Sequence, residues 1–264
     1  MTSGQDNIST REIIGVIPAA GQALRIGPLP CSKELFPIGF HSADQPTVAR
    51  PKAAVDYLLE KLRLAGIPKA YIIVRPGKWD IPAYLGDGKA LGLDLAYLML
   101  GVPYGVPYTL DQAYPFVEHV IVVLGFPDIL FKPADAYARL LRCLAADDSD
   151  VILGIFPADQ PQKMDVVELA PGDRVRQVIV KPCQTDLRYT WGIAVWMPTF
   201  TRFMHEYLSR LTVPPPSELH LGHVLQEAIA AGLRVGAVRV SDDPFLDIGT
   251  PDNLVTAVRR FSLT

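Results

Sequence analysis

Two cations, Arg25 and Lys33, stand in a stretch dominated by glycine, proline and small or apolar side chains, IPAAGQALRIGPLPCSKELFPI, residues 17–38. A guanidinium offers a planar fork of donors suited to phosphate oxygens, and an ammonium adds a compact point charge. Gly21, flanked by Ala19, Ala20 and Ala23, lets an anion come close to backbone N–H groups. The chemistry such a set could do is to cradle a polyphosphate. The alternative is a Gly/Pro surface loop carrying two solvated cations. Neither standard nucleotide motif explains the stretch: it lacks the P-loop pattern, and Ala23 and Leu24 follow Gly21 and Gln22 where a dinucleotide fingerprint needs further glycine. Two carboxylates are placed to join it. Asp128 lies just beyond the apolar run VIVVLG, and Asp247 sits in FLDIGT ahead of an expected helix start. Each is equally readable as a turn or capping residue. His220 and His223 share an expected helix without a third ligand nearby, so they read as a solvated or partner-facing pair rather than a metal site.

The elements that must position these residues alternate. Residues 12–20 (EIIGVIPAA) read as a buried strand broken at Pro18, and 70–75, 93–100, 118–126 and 151–156 as further strands. Residues 52–67 and 134–147 carry apolar side chains at helical spacing, with Gly66 suited to end the first helix. The order then changes. Residues 165–182 read as a hairpin about a Pro-Gly-Asp turn, 190–198 and 234–240 as strands, and 200–211, 218–233 and 250–262 as helices, the last opened by Thr250 and Pro251. The expectation is an α/β fold: a mixed, mostly parallel sheet with helices on both faces, binding its ligand beyond the carboxyl ends of the strands. The hairpin would form a small lid or substrate wall. A single domain is expected over 1–264, with 1–11 as a flexible tail.

Composition narrows the partners. The chain has 264 residues, 49% of them hydrophobic, enough for a sizeable core. A net charge of −3 and a pI near 5.9 give no reason to expect nucleic acid or a membrane surface as partner. The three cysteines, Cys31, Cys143 and Cys183, form no CxxC pair, so neither a disulfide framework nor a zinc site is expected, and a reducing cytoplasmic location fits. The polar start lacks a signal-peptide core, and no apolar stretch approaches the ~20 residues of a membrane span. TVPPPSE, residues 212–218, reads as a stiff polyproline turn, either a dimer contact or a spacer.

Taken together, PAAGQALR and PCSKELFPI resemble the signature of the sugar-1-phosphate nucleotidylyltransferases, most closely the members that make UDP-glucose or dTDP-glucose. RPKAAVDYLLEKLRLAGI, AYLGDGKALGLDLAY and FLDIGTPDNLVTA are similar to that family's later segments. The resemblance implies a three-layer, Rossmann-like nucleotide-diphospho-sugar transferase fold. It implies the reaction of an NTP with a sugar 1-phosphate to give an NDP-sugar and pyrophosphate, with Mg²⁺ as cofactor and a homo-oligomer as one allowed assembly. It implies catalytic roles for Arg25, Lys33, Asp128 and Asp247, the two aspartates holding the metal. Ala20, Gly21, Gln22 and Gly105 match nucleotide-binding positions, and Asp165, Val180, Lys181 and Gly192 match positions around the sugar phosphate.

The chain also departs from the family pattern. Phe126 and Pro127 intervene before Asp128, and the loop between Arg25 and Lys33 is shortened. Val180 stands where a sugar-binding Glu is usual, Asp165 where a Gly is usual, and Trp191 where a small residue is usual. Leu100 replaces a base-reading Gln and Leu24 a Thr. The triphosphate and metal side is thus expected to be kept and the sugar and base side rewritten. Asp165 either takes over the lost carboxylate's role or disfavours a phosphate beside it. A different small phosphomonoester as acceptor, or a non-catalytic nucleotide-binding protein, are the alternatives.

Overall fold

The computed structural model describes residues 11–41, 50–101, 104–214 and 217–261. The expected tail over 1–11, apart from Arg11, lies outside the described residues, as do 215–216 of the polyproline turn and the end of the last expected helix. In chain order the strands are β1 (Ile13–Pro18), β2 (Pro37–Phe40), β3 (Pro51–Ala53), β4 (Lys69–Val74), β5 (Asp94–Met99), β6 (Ile121–Leu124) and β7 (Ile129–Leu130). They continue with β8 (Val151–Pro157), β9 (Asp165–Ala170), β10 (Arg174–Val180), β11 (Tyr189–Trp196), β12 (Val235–Arg239) and β13 (Leu246–Asp247). The helices are α1 (Ala54–Leu64), α2 (Asp80–Leu85), α3 (Val106–Asp111), α4 (Tyr114–Val117), α5 (Ala136–Ala146), α6 (Pro198–Ser209), α7 (Leu221–Ala230) and α8 (Pro251–Phe261).

Nine strands form one sheet in the order β5-β4-β1-β6-β11-β8-β12-β10-β9. Its central strands β1, β6 and β8 are buried and apolar along nearly their whole length because both faces are covered, whereas the outer strands β5, β9 and β10 carry charged and exposed positions. On β6, Val122 and Leu124 enter a core with residues of α3, α6 and α7. Ile121 and Val123 point the other way, into a core with α1 and α5. β1, β8 and β11 divide in the same way, which gives three layers with helices on both faces. In α1, Val55, Leu58, Leu59 and Leu62 are buried at the i, i+3, i+4, i+7 spacing of one helical face. The helix begins later than the expected 52–67, since Pro51–Ala53 pair with β2. Its N-terminus is capped from within by Asp56, which accepts the Ala53 N–H at 2.9 Å. Gly66, at φ 75°, ends it.

The sheet is mixed and mostly parallel, as expected: β5, β4, β1, β6, β8 and β12 run the same way, β9 shares their direction, and only β11 and β10 run against them. The reversal of β11 follows from topology, because it returns across the sheet and inserts between two strands already laid down. One expectation needs correction: the hairpin 165–182 is no separate lid. β9 and β10 are the edge of the main sheet, and β9 also pairs with β11. It is a wall fixed by backbone hydrogen bonds.

Two small ribbons complete the frame. β7 pairs with β13 and β2 with β3. With α8 they enclose a third core of Ile38, Leu130, Ile248, Ala257 and Phe261. Phe36, three residues after Lys33, packs against this core.

Candidate active site

β1 delivers the glycine-containing loop to the end of the sheet. Ala19 N–H still bonds to Ile73 O at 2.8 Å, so the loop leaves the sheet at Ala20. Ala23 then adopts φ 55°, a left-handed conformation uncommon outside glycine, and its carbonyl accepts the N–H groups of Ile26 and Gly27. Ala20, Gly21 and Gln22 therefore form an exposed shelf. Gly21 lies beside Lys33: a Cβ at Gly21 would sit 3.7 Å from the Lys33 Nζ. Leu24, standing where the resembled family has a Thr, is 82% exposed.

Lys33 is held by its neighbours in sequence. Ser32 donates its N–H and hydroxyl to Asp80 at 2.6 and 2.7 Å. Burial opposes ionisation of Asp80, but these donors outweigh it and hold the carboxyl below its ordinary range. Glu34 is almost wholly buried and takes Lys78 Nζ on both oxygens, at 2.7 and 2.8 Å. Lys33 itself turns the other way and bonds to Asp128 Oδ2. Burial works against the ammonium, yet Asp128 foremost, with Glu34 and Asp247, pushes its pKa above the usual value.

The β7/β13 ribbon brings the two aspartates together. Ile248 N–H donates to Asp128 O at 3.0 Å, and Asp247 pairs with Ile129. Phe126 and Pro127 therefore do not displace Asp128 from the cluster. Asp247 Oδ2 receives Arg25 at 3.3 Å, and its Oδ1 accepts the Gly249 N–H at 2.8 Å. The Arg25 side chain remains 64% exposed, free to swing toward a ligand. Asn253 holds the Asp247 carbonyl at 2.8 Å from the start of α8. Two cations and two carboxylates thus alternate around one corner of the sheet.

Arg25 and Asp247 also line a cavity of about 360 Å³, together with Asp165, Lys181, Gly192 and His220. Gly192 sits at a bulge in β11, where a Cβ would come within 2.9 Å of Phe245. Asp165 and Val180 are direct cross-strand partners. A carboxylate absent at 180 is therefore present one strand over, on the same face. Burial raises the Asp165 pKa, against the pull of His220, Lys181, His223 and the Gly222 N–H, which its carboxylate accepts. Lys181 has φ 42°, a second non-glycine residue in left-handed conformation, with its N–H on Met164 O at 3.1 Å. Such cost-bearing backbone is held by its surroundings and re-aims a side chain. Here Lys181 Nζ reaches His220 Nε2 at 3.2 Å. Gly105 lies elsewhere. At φ 121° it opens α3 and bridges Leu219, with no room for a Cβ, and it does not line this cavity.

His220 is the residue that sequence reasoning misplaced. It does not lie on the helix but precedes it in extended conformation, at φ −90° and ψ 147°, and so turns into the cavity. Trp191, Gln160 and Lys163 also line the wall. Trp191 stood out in sequence only as a large residue in a small-residue place, and nothing marked the other two.

Among the described residues no group of three or more metal-ligating side chains occurs. Asp128 and Asp247 are two hard oxygen donors next to a cation-lined cavity. Mg²⁺ is commonly bound by one or two carboxylates plus substrate phosphate oxygens and waters, so this donor set fits it. Among the described residues, no helix is long and apolar enough to cross a membrane.

The sequence is 22% identical over 246 residues to a low-salt glycan biosynthesis nucleotidyltransferase of Haloferax volcanii, covering 92% of this chain and 64% of that one. It is 28% identical over 211 residues to a glucose-1-phosphate thymidylyltransferase of Streptomyces griseus, covering 78% and 57%. The chain thus spans about three fifths of the length of these curated relatives. A crystal structure from Bacillus anthracis, assigned as a glucose-1-phosphate thymidylyltransferase and solved with sucrose, superposes with a TM-score of 0.80 at 19% identity over 94% of each chain, which establishes the fold. The family model described as nucleotidyl transferase matches residues 14–262, and the chain belongs to that family.

Proposed function

We propose that this protein transfers a nucleotidyl group from an NTP to a sugar 1-phosphate, releasing pyrophosphate and forming an NDP-sugar. The observation that carries the reading is the side-by-side placement of the Lys33–Asp128 and Arg25–Asp247 pairs, the second of which lines a cavity that also holds Lys181. The acceptor phosphate is already an anion when it attacks the α-phosphorus, so no strong base is needed. Positioning and charge neutralisation do the work. Ala20, Gly21 and Gln22 present backbone to the triphosphate, and Arg25 and Lys33 take its charge. In the same reading Gly105 closes the nucleotide side, beside Leu219. Lys181 holds the acceptor phosphate, with Asp165, Val180 and Gly192 around the rest of the acceptor. Asp128 and Asp247 would hold Mg²⁺, which when bound supplies neutralisation of the phosphate charge. An incoming triphosphate draws Lys33 and Arg25 away from the two carboxylates and frees oxygens for the ion.

Asp247→Asn tests the assignment. Turnover in Mg²⁺ is expected to fall to background while the fold persists, as read by thermal melting. Unchanged Mg²⁺-dependent turnover would remove Asp247 from the metal site. NTP binding without pyrophosphate release under any acceptor would point instead to a nucleotide-binding protein without catalysis.

A further inference from the structure

Resting on the nucleotidyl-transfer reading, we propose that the acceptor carries a protonated amine and that Asp165 is the residue that receives it. The argument is one of charge balance in a confined space. The Asp165 carboxylate abuts the backbone of Gly222 so closely that a Cβ there would fall 2.5 Å from its Oδ2. It accepts the Gly222 N–H, and Thr190 Oγ1 binds its main-chain oxygen at 2.9 Å. Among the described residues no side-chain donor reaches the carboxylate itself. Its charge is balanced at longer range, by the Lys181 ammonium.

That balance fails when the acceptor binds. Lys181 Nζ donates to His220 Nε2 at 3.2 Å, so His220 accepts there and carries its proton on the other nitrogen. Burial and the neighbouring Lys181 ammonium hold the imidazole below its ordinary pKa, so it stays neutral at pH 7. Once a phosphate dianion draws the Lys181 charge, Asp165 is a partly buried carboxylate facing a second anion with no cation among the described residues in contact with it, since Arg25 pairs with Asp247 and Lys163 is engaged by Gln160. A hydroxyl would give it a hydrogen bond but no charge. An ammonium on the acceptor gives both. Val180, directly across the strand pair, offers no competing polar group; of the carboxylates that line the cavity, Asp165 is the one set in the field of Lys181 and His220, where the acceptor phosphate is held. Phe126 and Trp191, with centroids 6.1 Å apart, line the same cavity and limit the water that would otherwise solvate the pair.

The test is pyrophosphate release by the whole protein, with Mg²⁺ and each common NTP, on four acceptors. These are glucose 1-phosphate, glucosamine 1-phosphate, 4-amino-4-deoxyglucose 1-phosphate and N-acetylglucosamine 1-phosphate. At least one free amine is expected to exceed glucose 1-phosphate in kcat/KM by tenfold or more, and N-acetylation is expected to abolish the gain. In Asp165→Asn the ratio of amine to hydroxyl acceptor should collapse toward one. Should that variant not fold, the native panel decides alone. Turnover of glucose 1-phosphate equal to that of both amines, or a preference that survives Asp165→Asn, overturns the inference while leaving nucleotidyl transfer standing. No release from any pair, with NTP still bound, overturns both.

Discussion

Replacing Lys33 by Met keeps the length and packing of the side chain and removes its charge. Lys33 is 13% exposed and its partner Asp128 17% exposed, so the charge acts where solvent screens it poorly. At an effective dielectric near 20, an ammonium ~4 Å from a phosphoryl charge contributes about 4 kcal/mol. One factor of ten in rate is about 1.4 kcal/mol, so the whole interaction is worth roughly a thousandfold in kcat/KM. Part of it already exists in the bound triphosphate, and only what strengthens toward the transition state lowers kcat. The expected result is a loss of ~10²–10³ in kcat/KM, divided between a raised KM and a lowered kcat. Asp128 loses its cation but keeps some solvent, so the variant should stay folded, with a stability loss of about 1–3 kcal/mol. Steady-state pyrophosphate release against NTP concentration measures the first quantity, and urea unfolding the second. A folded Lys33→Met protein within tenfold of native kcat/KM would refute the charge argument.

Other substitutions probe the frame. Lys61, 8% exposed, lies over the Phe131 ring. Its pKa is pushed down to about 8 by burial first, then by Lys52 and Lys132. A depressed lysine costs stability where the ammonium is forced into the fold, and the cost fades as pH rises from about 8 toward 10.5. Lys61→Met should therefore stabilise the protein at pH 6.5 more than at pH 9.5 in urea titrations, and the gap between 10.5 and about 8 sets a ceiling near ~3 kcal/mol. Lys78→Met strands the buried Glu34 carboxylate and should cost ~3–5 kcal/mol, with the Glu34→Gln/Lys78→Met pair costing less than the sum of its singles. For Asp165, burial raises the pKa, so the ionised form costs stability above the ordinary 3.8. Asp165→Asn should raise Tm at pH 7.5, and calorimetry at pH 4 should show a smaller gain.

What the sequence disclosed follows from length and pattern. β1, β6 and β8 were legible because strands buried on both faces read as unbroken apolar runs, and α1 and α5 because their apolar stripes recur at helical spacing. β7 and β13 are two residues each, too short to show a period. Yet they place Asp128 against Asp247. Arg25 and Lys33 stood out by residue type in a bare loop. The supports that aim Lys33 did not, because Glu34–Lys78 and Ser32–Asp80 are 44 and 48 residues apart in the chain. The hairpin was visible from its turn, but its incorporation into the sheet edge is a tertiary fact. His220 shows how a small boundary shift changes a role. As part of a helix beginning at 218 it belonged to an outer face, whereas one residue before the actual start at Leu221 its extended backbone turns it to Lys181.

The most direct test of the central claim is a pyrophosphate-release assay on the purified protein, crossing the common NTPs with a panel of sugar 1-phosphates, with Mg²⁺ and with excess chelator. The account predicts release that requires both substrates, stops with the chelator and yields an NDP-sugar by mass. Mg²⁺-independent release, or none from any pair while NTP alone shifts the melting temperature, would contradict it.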